Sequence, residues 1–388
     1  MGILKDIDLC CGCHACFNIC PVEAIEMRYD SKGFLYPCIN NERCIGCHQC
    51  KTVCPILHKP LDFKLEEIYG AYVKDEEERM SSCSGGIFAV LAKQVLKSHG
   101  VVFGAAYDDE NLVYHTWIDT LDDLYKLKGT KYVQSRIEDS FKRAKKFLEE
   151  NRIVLFSGTP CQIAGLKNYL KREYDNLICL DLICHGVPSP MVWKKYLNEI
   201  SPNNKIERVI FRNKSEGVSN STIKYFLDDK RFIEEKYGTS PYIKGFIQNL
   251  YIRPSCTKCN FKGTNRCSDI TIGDFWSAKE FHPDFADDYG ISTMIVHTSK
   301  GQLWLKKIER EINIVSSTKK EVERWNECLM KATSANSKTD LFYTEWNEKS
   351  LIDIIEKLKD DKEMKKTSIF LKILGFIKNK INYRDENE

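Results

Sequence analysis

Apolar and polar residues follow two alternating patterns from about residue 68 onward. Short apolar runs rich in Ile, Val and Tyr, which favour strands, are each followed by a stretch whose apolar residues recur at helical spacing. Strands are expected at Ile68–Val73, Val101–Tyr107, Ile153–Phe156 and Leu177–Ile183, and helices at Ile87–Lys97, 138–149 and Gln162–Lys171. Strands that alternate with helices of this length predict an α/β domain with a largely parallel or mixed sheet.

The segments on either side of that pattern have a different character. Residues 1–56 form an internal repeat whose halves are joined by a hairpin-like stretch, Ile25–Ile39. Beyond residue 205, short strands and loops precede helices that extend to about residue 360. The expected fold class is therefore a multidomain α+β or α/β chain, with a cysteine-rich module at 1–56, a linker at 57–67, an α/β domain with a mixed sheet at 68–300 and a helical region at 301–388.

Cysteine spacing indicates the chemistry of the first 56 residues. The pattern C-x2-C-x2-C-x3-C-P occurs twice, and this is the spacing by which a bacterial-type ferredoxin holds 4Fe-4S clusters. The module has little apolar sequence for a core. We therefore expect metal ligation to supply much of its folding free energy.

In a two-cluster module the fourth cysteine of each run ligates the other cluster. Zinc sites and disulfides are the alternatives, but zinc sites use paired CxxC units and have no use for a third cysteine at the same short spacing. Two 4Fe-4S clusters are the favoured interpretation. The first is assigned to Cys10, Cys13, Cys16 and Cys54, and the second to Cys44, Cys47, Cys50 and Cys20.

Composition narrows the class of protein further. The 388 residues include 58 Lys and Arg against 55 Asp and Glu, so nothing indicates nucleic acid as a main partner. Met1–Leu9 has no apolar signal-peptide core, and no run reaches the ~20 apolar residues of a membrane-spanning helix. Because cysteines that ligate exposed clusters need a reducing compartment, a cytoplasmic location is expected. Residues 368–383 are basic and apolar, so peripheral membrane contact is an alternative to packing on their own domain.

Four of the ten remaining cysteines are candidates for a third cluster. Cys161 lies at a strand-to-helix turn and Cys184 ends the next strand, so a parallel sheet would bring them to neighbouring carboxyl ends. Cys256 and Cys259 form a CxxC pair. Together they predict a third 4Fe-4S cluster, with structural zinc or free thiols as alternatives. Cys267 is the chief spare ligand.

Three loops are candidates for binding a phosphate-bearing cofactor. The turns at 81–86 and 158–160 precede helices, so their N–H groups are available to a pyrophosphate. The loop at 128–135 combines cations, a ring and amides, a mixture that suits a flavin or its phosphates. None has the dinucleotide fingerprint G-x-G-x-x-G, and plain turns or a solvated loop are the alternatives. The candidate residues are Ser84, Gly85, Gly86, Lys131, Tyr132, Gln134, Ser135, Gly158 and Thr159.

Several of these motifs together resemble one known family. It is the beta-subunit family of coenzyme F420 hydrogenase and dehydrogenase, which includes stand-alone bacterial members with an N-terminal two-cluster ferredoxin. The resemblance covers most of residues 1–300, and the chain departs from it with Cys83 where Ser is usual and Cys267 where an apolar residue is common. The similar stretches are SCSGGIF (82–88), KGTKYVQS (128–135), SGTPCQIAGLKNYL (157–170), DLICHGVPSP (181–190), RPSCTKCNFKG (253–263) and SDITIGDFW (268–276).

The resemblance implies a central domain that binds FAD and one more 4Fe-4S cluster, and that exchanges electrons with a deazaflavin coenzyme at the flavin. A flavin accepts a hydride as two electrons and releases them singly to clusters, which carry one each. The expected function is therefore an iron–sulfur flavoprotein oxidoreductase that connects a redox coenzyme to a one-electron carrier protein.

Two side chains near these motifs are candidates for roles at the flavin. His185 is a candidate proton donor, with orientation of the backbone as the alternative. Asp274 is a candidate partner for a ribityl hydroxyl, with capping of a turn as the alternative. Two further functions stay open for the whole chain: a non-catalytic electron-transfer subunit, and a redox partner of another enzyme, for example in polysaccharide biosynthesis.

Overall fold

The computed structural model describes residues 2–63 and 67–358. The strands are β1 (Ile25–Tyr29), β2 (Leu35–Ile39), β3 (Glu67–Val73), β4 (Val101–Tyr107), β5 (Val113–Ile118), β6 (Val154–Gly158), β7 (Leu177–Leu182), β8 (Ile206–Asn213), β9 (Thr222–Leu227), β10 (Phe232–Lys236), β11 (Ile270–Asp274), β12 (Ser292–Val296) and β13 (Ile312–Ser317). The helices are α1 (Ala15–Ile19), α2 (Gln49–Thr52), α3 (Glu76–Met80), α4 (Ile87–Lys97), α5 (Leu124–Leu127), α6 (Ser140–Glu149), α7 (Pro160–Leu170), α8 (Pro190–Ile200), α9 (Pro241–Ile247), α10 (Ala278–Phe281), α11 (Ser299–Ile308), α12 (Lys319–Glu323), α13 (Glu327–Met330), α14 (Thr339–Glu345) and α15 (Leu351–Leu358).

An eight-stranded mixed sheet forms the centre of the molecule, in the order β13-β3-β12-β11-β7-β6-β4-β5. Strands β4, β6, β7 and β11 are parallel to one another, whereas the pairs β4–β5, β11–β12, β12–β3 and β3–β13 are antiparallel. The α/β fold with a mixed sheet is thus confirmed. Its central strands are almost wholly apolar because both faces are covered by helices.

Two apolar cores lie on the two faces of this sheet. One packs helices α4 and α11 against the strands, with Leu91 and Trp304 among its buried residues. The other packs α6 and α7 and contains Phe141 and Phe156. Cys11 and Cys13 of the N-terminal module belong to this second core as well, so the module shares its core with the sheet domain.

A second, three-stranded antiparallel sheet, in the order β10-β9-β8, flanks the main one. Its inner face packs with helices α8, α9 and α15 around fully buried aromatic rings. The rings of Trp193 and Tyr242 lie 4.8 Å apart in an edge-to-face arrangement, and Tyr132 packs edge-on to Phe211 at 5.4 Å. This aromatic core therefore reaches the 128–135 loop of the sheet domain.

The boundary expected at residue 300 does not divide the fold. Strand β13 pairs with β3 at the edge of the main sheet, from Ile312 opposite Val73 to Ser317 opposite Ile68. Helix α15 packs on α8 and α9. The sequence predicted only helices here, because β13 is just six residues long and lies between two helical segments. The segment 368–383 lies outside the described residues, and none of the described helices is long and apolar enough to cross a membrane.

The N-terminal module docks on the sheet domain through its first half. Helix α1 contacts α6 and α7, and Asn18 donates hydrogen bonds to the carbonyl oxygens of His14 and Glu138 at 2.9 and 2.7 Å. Ser189 at the start of α8 donates to the carbonyl of Lys32 in the β1–β2 turn. A small core around Ile3 and Ile25 is all that the module contributes alone, in keeping with its apolar-poor sequence.

Arg253 is the central contact between the module and the sheet domain. Its side chain is fully buried and donates to the carbonyl oxygens of Cys10 at 2.6 Å and Leu35 at 3.0 Å, and to the side-chain oxygen of Gln134 at 2.9 Å. The guanidinium also lies over the ring of Tyr36, 4.2 Å from its centroid. Only an always-charged, planar, five-donor group can hold all of these partners.

Replacing Arg253 by Met should loosen this docking. The change leaves the carbonyls of Cys10 and Leu35 buried without donors, at a cost of about 1–3 kcal/mol each. Hydrogen exchange measured by mass spectrometry should then show lost protection at the β1–β2 hairpin, whereas the exposed control Arg172→Met should leave exchange unchanged. Equal protection in the two variants would show that Arg253 does not hold the module.

Candidate functional site

The functional loops follow the carboxyl ends of the parallel strands. Strands β4, β6, β7 and β11 end at Tyr107, Gly158, Leu182 and Asp274, and these ends share one edge of the sheet. In open α/β sheets this is the edge at which ligands bind. The loops that leave it, together with the N-terminal module, form the site.

One cavity at this edge brings the four candidate third-cluster cysteines together. Cys161 is the second residue of α7 and Cys184 follows β7, so the two arrive from neighbouring parallel strands as expected. Cys256 lies in a short 3-10 helix, Pro254–Lys258, and Cys259 ends it. Three separate chain segments thus deliver four thiols to one space.

The wall of this cavity suits an anionic cluster. Arg266 lines it, is almost completely buried, and has two terminal guanidinium nitrogens without a hydrogen-bond partner in the described part of the chain, although it is ion-paired with Asp181 at 3.5 Å. Lys262 lines it too. Sulfur atoms receive polar contacts, since the N–H of Phe261 donates to Cys259 Sγ at 3.4 Å. Such contacts to ligand sulfurs are typical of iron–sulfur sites.

In the metal-free protein these thiols stay protonated, so a metal has to displace their protons in order to bind. Burial raises the pKa of Cys256 to about 12 and also raises the pKa of Cys184 and Cys161, with the thiol of Cys11 as the largest contribution at Cys161. Among the described residues, no three Cys, His, Asp or Glu side chains converge closely enough for one metal ion. Thiols that surround a space fit a cube, in which each iron takes one thiolate, better than a mononuclear zinc site.

Cys267 does not line this cavity. It is buried in the core shared by α6 and α7, where burial raises its pKa to about 12 and Asp181 and Lys167 are its charged neighbours. The geometry therefore gives no support to Cys267 as a spare ligand.

A second cavity lies inside the N-terminal module. Cys10, Cys13, Cys16 and Cys54 all line it, which is the crosswise set assigned to the first cluster. Gly12 allows this loop to form, with φ at +66° and no room for a Cβ beside Gln134 and Arg253.

The other cysteine set of the module is much more open to solvent. Cys44 and Cys47 are exposed, and Cys20 and Cys50 are partly buried. The N–H of Ala24 donates to Cys20 Sγ at 3.2 Å. The first half of the module is thus covered by the sheet domain, and the second half faces outward.

Part of the candidate flavin set gathers around Cys83. Lys131 and Arg212 interact electrostatically with Cys83, as does Lys214. Arg212 is ion-paired with Asp274 at 2.7 Å and lies over the ring of Trp276. We call Cys83, Lys131, Arg212, Lys214 and Asp274 the cationic cluster.

The charge of the cationic cluster fits a pyrophosphate. Burial lowers the pKa of Lys131 and of Lys214 to about 8, so both cations are held at an energetic cost that a bound anion would relieve. Tyr132 and Tyr237, whose rings lie 5.9 Å apart, supply adjacent aromatic faces. This donor set suits a flavin nucleotide.

The turn at 84–86 has a different role from the one expected for it. The N–H of Gly85 already donates to Ser292 Oγ and its carbonyl accepts from Val73, so the backbone lies against the strands. A Cβ at Gly85 would clash with the Ala71 carbonyl oxygen at 2.3 Å. The glycine is therefore required by strand packing. Gly86, at φ +85°, is the N-cap residue of α4. The hydroxyl of Ser84 donates to the Ile291 carbonyl.

Four other flavin candidates lie with the cysteines and not in the cationic cluster. Gln134 donates to the Cys11 carbonyl and accepts from Arg253, so it joins the module to the sheet domain. Thr159 caps α7, lines the Cys161 cavity and contacts Cys161 Sγ at 3.2 Å. The remaining two support this turn: Ser135 bonds to His115 at 2.5 Å, and Gly158 packs on Gln162. Within the 128–135 loop, Lys131 and Tyr132 thus lie by the cationic cluster, whereas Gln134 and Ser135 lie on the cysteine side.

His185 lines the cysteine cavity beside Cys184. Its Nε2 bonds to Asn249 Oδ1 at 2.7 Å, and because Asn249 uses its amide nitrogen to donate to Ser334, Nε2 is the donor. Burial lowers the pKa of His185. These contacts favour a neutral, oriented ring that supports the cysteine loop over the proton donor expected at a flavin.

Sequence reasoning missed Arg212, Lys214 and Arg253. Arg212 and Lys214 lie at the end of β8, and Lys214 is buried, donating to the carbonyls of Arg79 and Ser84 at 2.9 Å. The available sequence signal was the short apolar run 209–211 directly before these two cations. Arg253 closely precedes the CxxC pair, but its partners in the module lie more than two hundred residues earlier, so only the fold reveals them.

Comparison with known proteins agrees with these motifs. Residues 151–321 match the family described as coenzyme F420 hydrogenase/dehydrogenase, C terminus of the beta subunit, and residues 9–56 match the 4Fe-4S dicluster domain. A chain of the F420-reducing NiFe hydrogenase complex from Methanosarcina barkeri, solved as a xenon derivative, is 14% identical; the alignment covers 76% of this chain and 91% of that one, with a TM-score of 0.43. None of the curated proteins compared with the chain matches it.

The chain therefore combines two known families. It carries a 4Fe-4S dicluster domain at its N-terminus, followed by a region that belongs to the coenzyme F420 hydrogenase/dehydrogenase beta-subunit family. The resemblance expected from the motifs is confirmed, and the chain is an iron–sulfur electron-transfer protein.

The unequal exposure of the two cysteine sets of the module predicts an order of cluster loss. Under a mild oxidant with a chelator, about four irons should leave first, the content of one cube, because Cys44 and Cys47 are open to solvent. Iron release followed by absorbance should be biphasic. In Cys47→Ser the fast phase should be missing, and a fast phase of unchanged size in that variant would contradict the assignment.

Proposed function

We propose that this chain is an iron–sulfur flavoprotein oxidoreductase. It passes electrons between a hydride-carrying, deazaflavin-like coenzyme at FAD and a one-electron carrier protein, through three 4Fe-4S clusters. The proposal extends the dicluster domain and the beta-subunit family match by one further cluster and a flavin.

The proposal rests on one observation: two cysteine cavities share a wall. One cavity is lined by Cys161 and its three partner cysteines, and the other by the cysteines of the first module cluster. Cys11 and Ile56 line both. Beyond the latter lie the exposed Cys44 and Cys47. The cysteine sites thus run in series from the edge of the main sheet to the surface.

A flavin bound at the same edge would supply the conversion between a two-electron hydride and single electrons. Lys131, Lys214 and Arg212 would balance the charge of its pyrophosphate, and Asp274 keeps Arg212 in place through their ion pair. Buried surroundings strengthen each of these charge interactions by excluding water. The chain's own contribution is to bind, orient and shield the cofactor.

Iron content tests the third cluster directly. The anaerobically purified chain should contain about twelve irons, three cubes of four, and Cys259→Ser should contain about eight. Removing the sheet-domain cluster should leave both module clusters, whose cysteines are separate, detectable by EPR.

Matched variants make the iron count specific. Cys38→Ser, at an exposed thiol on β2, and Cys267→Ser, at a thiol outside the cavity, should both keep about twelve irons. Eight irons in the unmodified chain, or one equivalent of zinc, would contradict the third cluster. A loss of four irons in Cys267→Ser alone would transfer the ligand role to that residue.

Lys131 tests the flavin. Replacing it by Met should weaken flavin affinity about tenfold, because a hydrogen bond to a charged group contributes about 1.5–3 kcal/mol. Equilibrium binding of FAD by fluorescence quenching measures the effect. Lys126→Met, at an exposed lysine in the preceding helix, should bind FAD as the unmodified chain does. Identical affinities for both variants would place any flavin elsewhere.

The same lysines predict the pH dependence of flavin affinity. Both pKa values are about 8, so the charged form that attracts a phosphate is present below pH 8 and is lost above it. Affinity for FAD should therefore fall between pH 7 and pH 9, and the fall should be smaller in Lys131→Met. A rise over this range would contradict the role of the cations.

A non-catalytic electron-transfer subunit is the second candidate function. The polar groups of the 84–86 turn are already bonded within the protein: Ser84 to Ile291 and Lys214, and Gly85 to Ser292. This saturation favours a chain that carries clusters without a flavin. Absence of flavin absorbance in the purified protein, with full iron content, would select it.

A further inference from the structure

Cys11 occupies a special position in the internal repeat of the module. The segment Cys10-Cys11-Gly12-Cys13-His14 corresponds to Cys44-Ile45-Gly46-Cys47-His48. The two loops share their backbone shape, with φ of +66° and +71° at the glycines and +58° and +57° at the histidines. The side chains at the second position differ completely: Cys11 is 8% exposed and Ile45 is 64% exposed.

The thiol of Cys11 lies between two ligand groups. It lines the cavity of Cys13, assigned to the first module cluster, and also the cavity of Cys161, assigned to the third cluster. Helix α7 allows this approach, since a Cβ at Gly165 would meet Cys13 Sγ at 2.9 Å.

Thiol chemistry decides what Cys11 can do there. A thiolate bound to iron has no proton and accepts hydrogen bonds only, whereas a free thiol has one S–H to donate. The set of Cys10, Cys13, Cys16 and Cys54 and the set around Cys161 each already supply four ligands, one per iron of a cube. Cys11 is the ninth thiol at a junction that needs eight.

We propose that Cys11 is not a ligand but a hydrogen-bond donor, whose S–H points to one of the two ligand sulfurs beside it and raises the reduction potential of that cluster. Hydrogen bonds to cluster sulfurs and exclusion of solvent set the potentials of such clusters. The inference rests on the proposed third cluster for one of its two acceptors. On this proposal, Cys11 adjusts the reduction potential of a cluster at the junction between the sheet domain and the module.

The position of Arg253 supports a fixed geometry at this junction. Its guanidinium binds the carbonyl of Cys10, and Gln134 donates to the carbonyl of Cys11 itself. Both peptide units flanking the thiol are therefore held by the sheet domain. A side chain so constrained keeps one orientation, which a tuning hydrogen bond requires.

Two substitutions at Cys11 in the full-length chain test the proposal. Cys11→Ala removes the donor, and Cys11→Ser keeps one in nearly the same volume. Redox titration followed by EPR should show one cluster next to Cys11 shifted to a lower potential in Cys11→Ala, by about tenfold in its reduction equilibrium or 59 mV. Cys11→Ser should restore most of the shift. The cluster of the exposed cysteines should titrate alike in all three proteins.

Iron analysis on the same samples separates this proposal from the one on which it rests. All three proteins should have equal iron content. Unchanged potentials in Cys11→Ala would overturn the donor role, and a loss of about four irons in both variants would make Cys11 a ligand instead. Eight irons in the unmodified chain would overturn the third cluster but not the role of Cys11. That role would then be decided by the potential of the first module cluster, in which Cys13 is the acceptor.

Discussion

The buried guanidinium of Arg253 is the interaction on which the arrangement of the molecule depends. One side chain from the CxxC segment of the sheet domain reaches two carbonyls and a ring of the N-terminal module and the amide of Gln134. A buried charge is tolerated only when it is fully hydrogen-bonded. Here some of the acceptors belong to the N-terminal module and one belongs to the sheet domain. The contact therefore fixes the first module cysteines next to those of the sheet domain.

That contact also explains why the two halves of a repeated module have different surroundings. Cys10 and Cys13 are enclosed by the sheet domain, whereas Cys44 and Cys47 remain exposed. One repeated sequence thus yields one enclosed and one solvent-exposed set of cysteines.

Much of the fold and part of the site followed from local pattern. Strands β4 and β7, helix α4 and the hairpin Ile25–Ile39 were predictable because each has one dominant period or turn signal. Strand β13 was not, since a short strand at a sheet edge between helices is chosen by pairing with β3, a tertiary interaction. The convergence of Cys161 with Cys184 was predictable because parallel strands align their carboxyl ends.

The positions of the flavin candidates in the fold could not be predicted from local sequence. Neighbours in the 128–135 loop separate in space, with Lys131 beside Cys83 and Gln134 beside Cys11. A glycine turn such as Gly85 has the same sequence whether it approaches a phosphate or a strand, and here the strand occupies the space. Arg212 and Lys214 joined the cluster only through the folding of β8 onto the loops.

The central claim is that a third cube lies in the Cys161 cavity, in line with the two cubes of the module. A crystal structure of the anaerobically purified chain with anomalous data at the iron edge tests it most directly. The account predicts three separate iron clusters, one of them ligated by Cys161, Cys184, Cys256 and Cys259, with Cys11 bound to no iron. Two clusters only, or a zinc signal among those four cysteines, would contradict it.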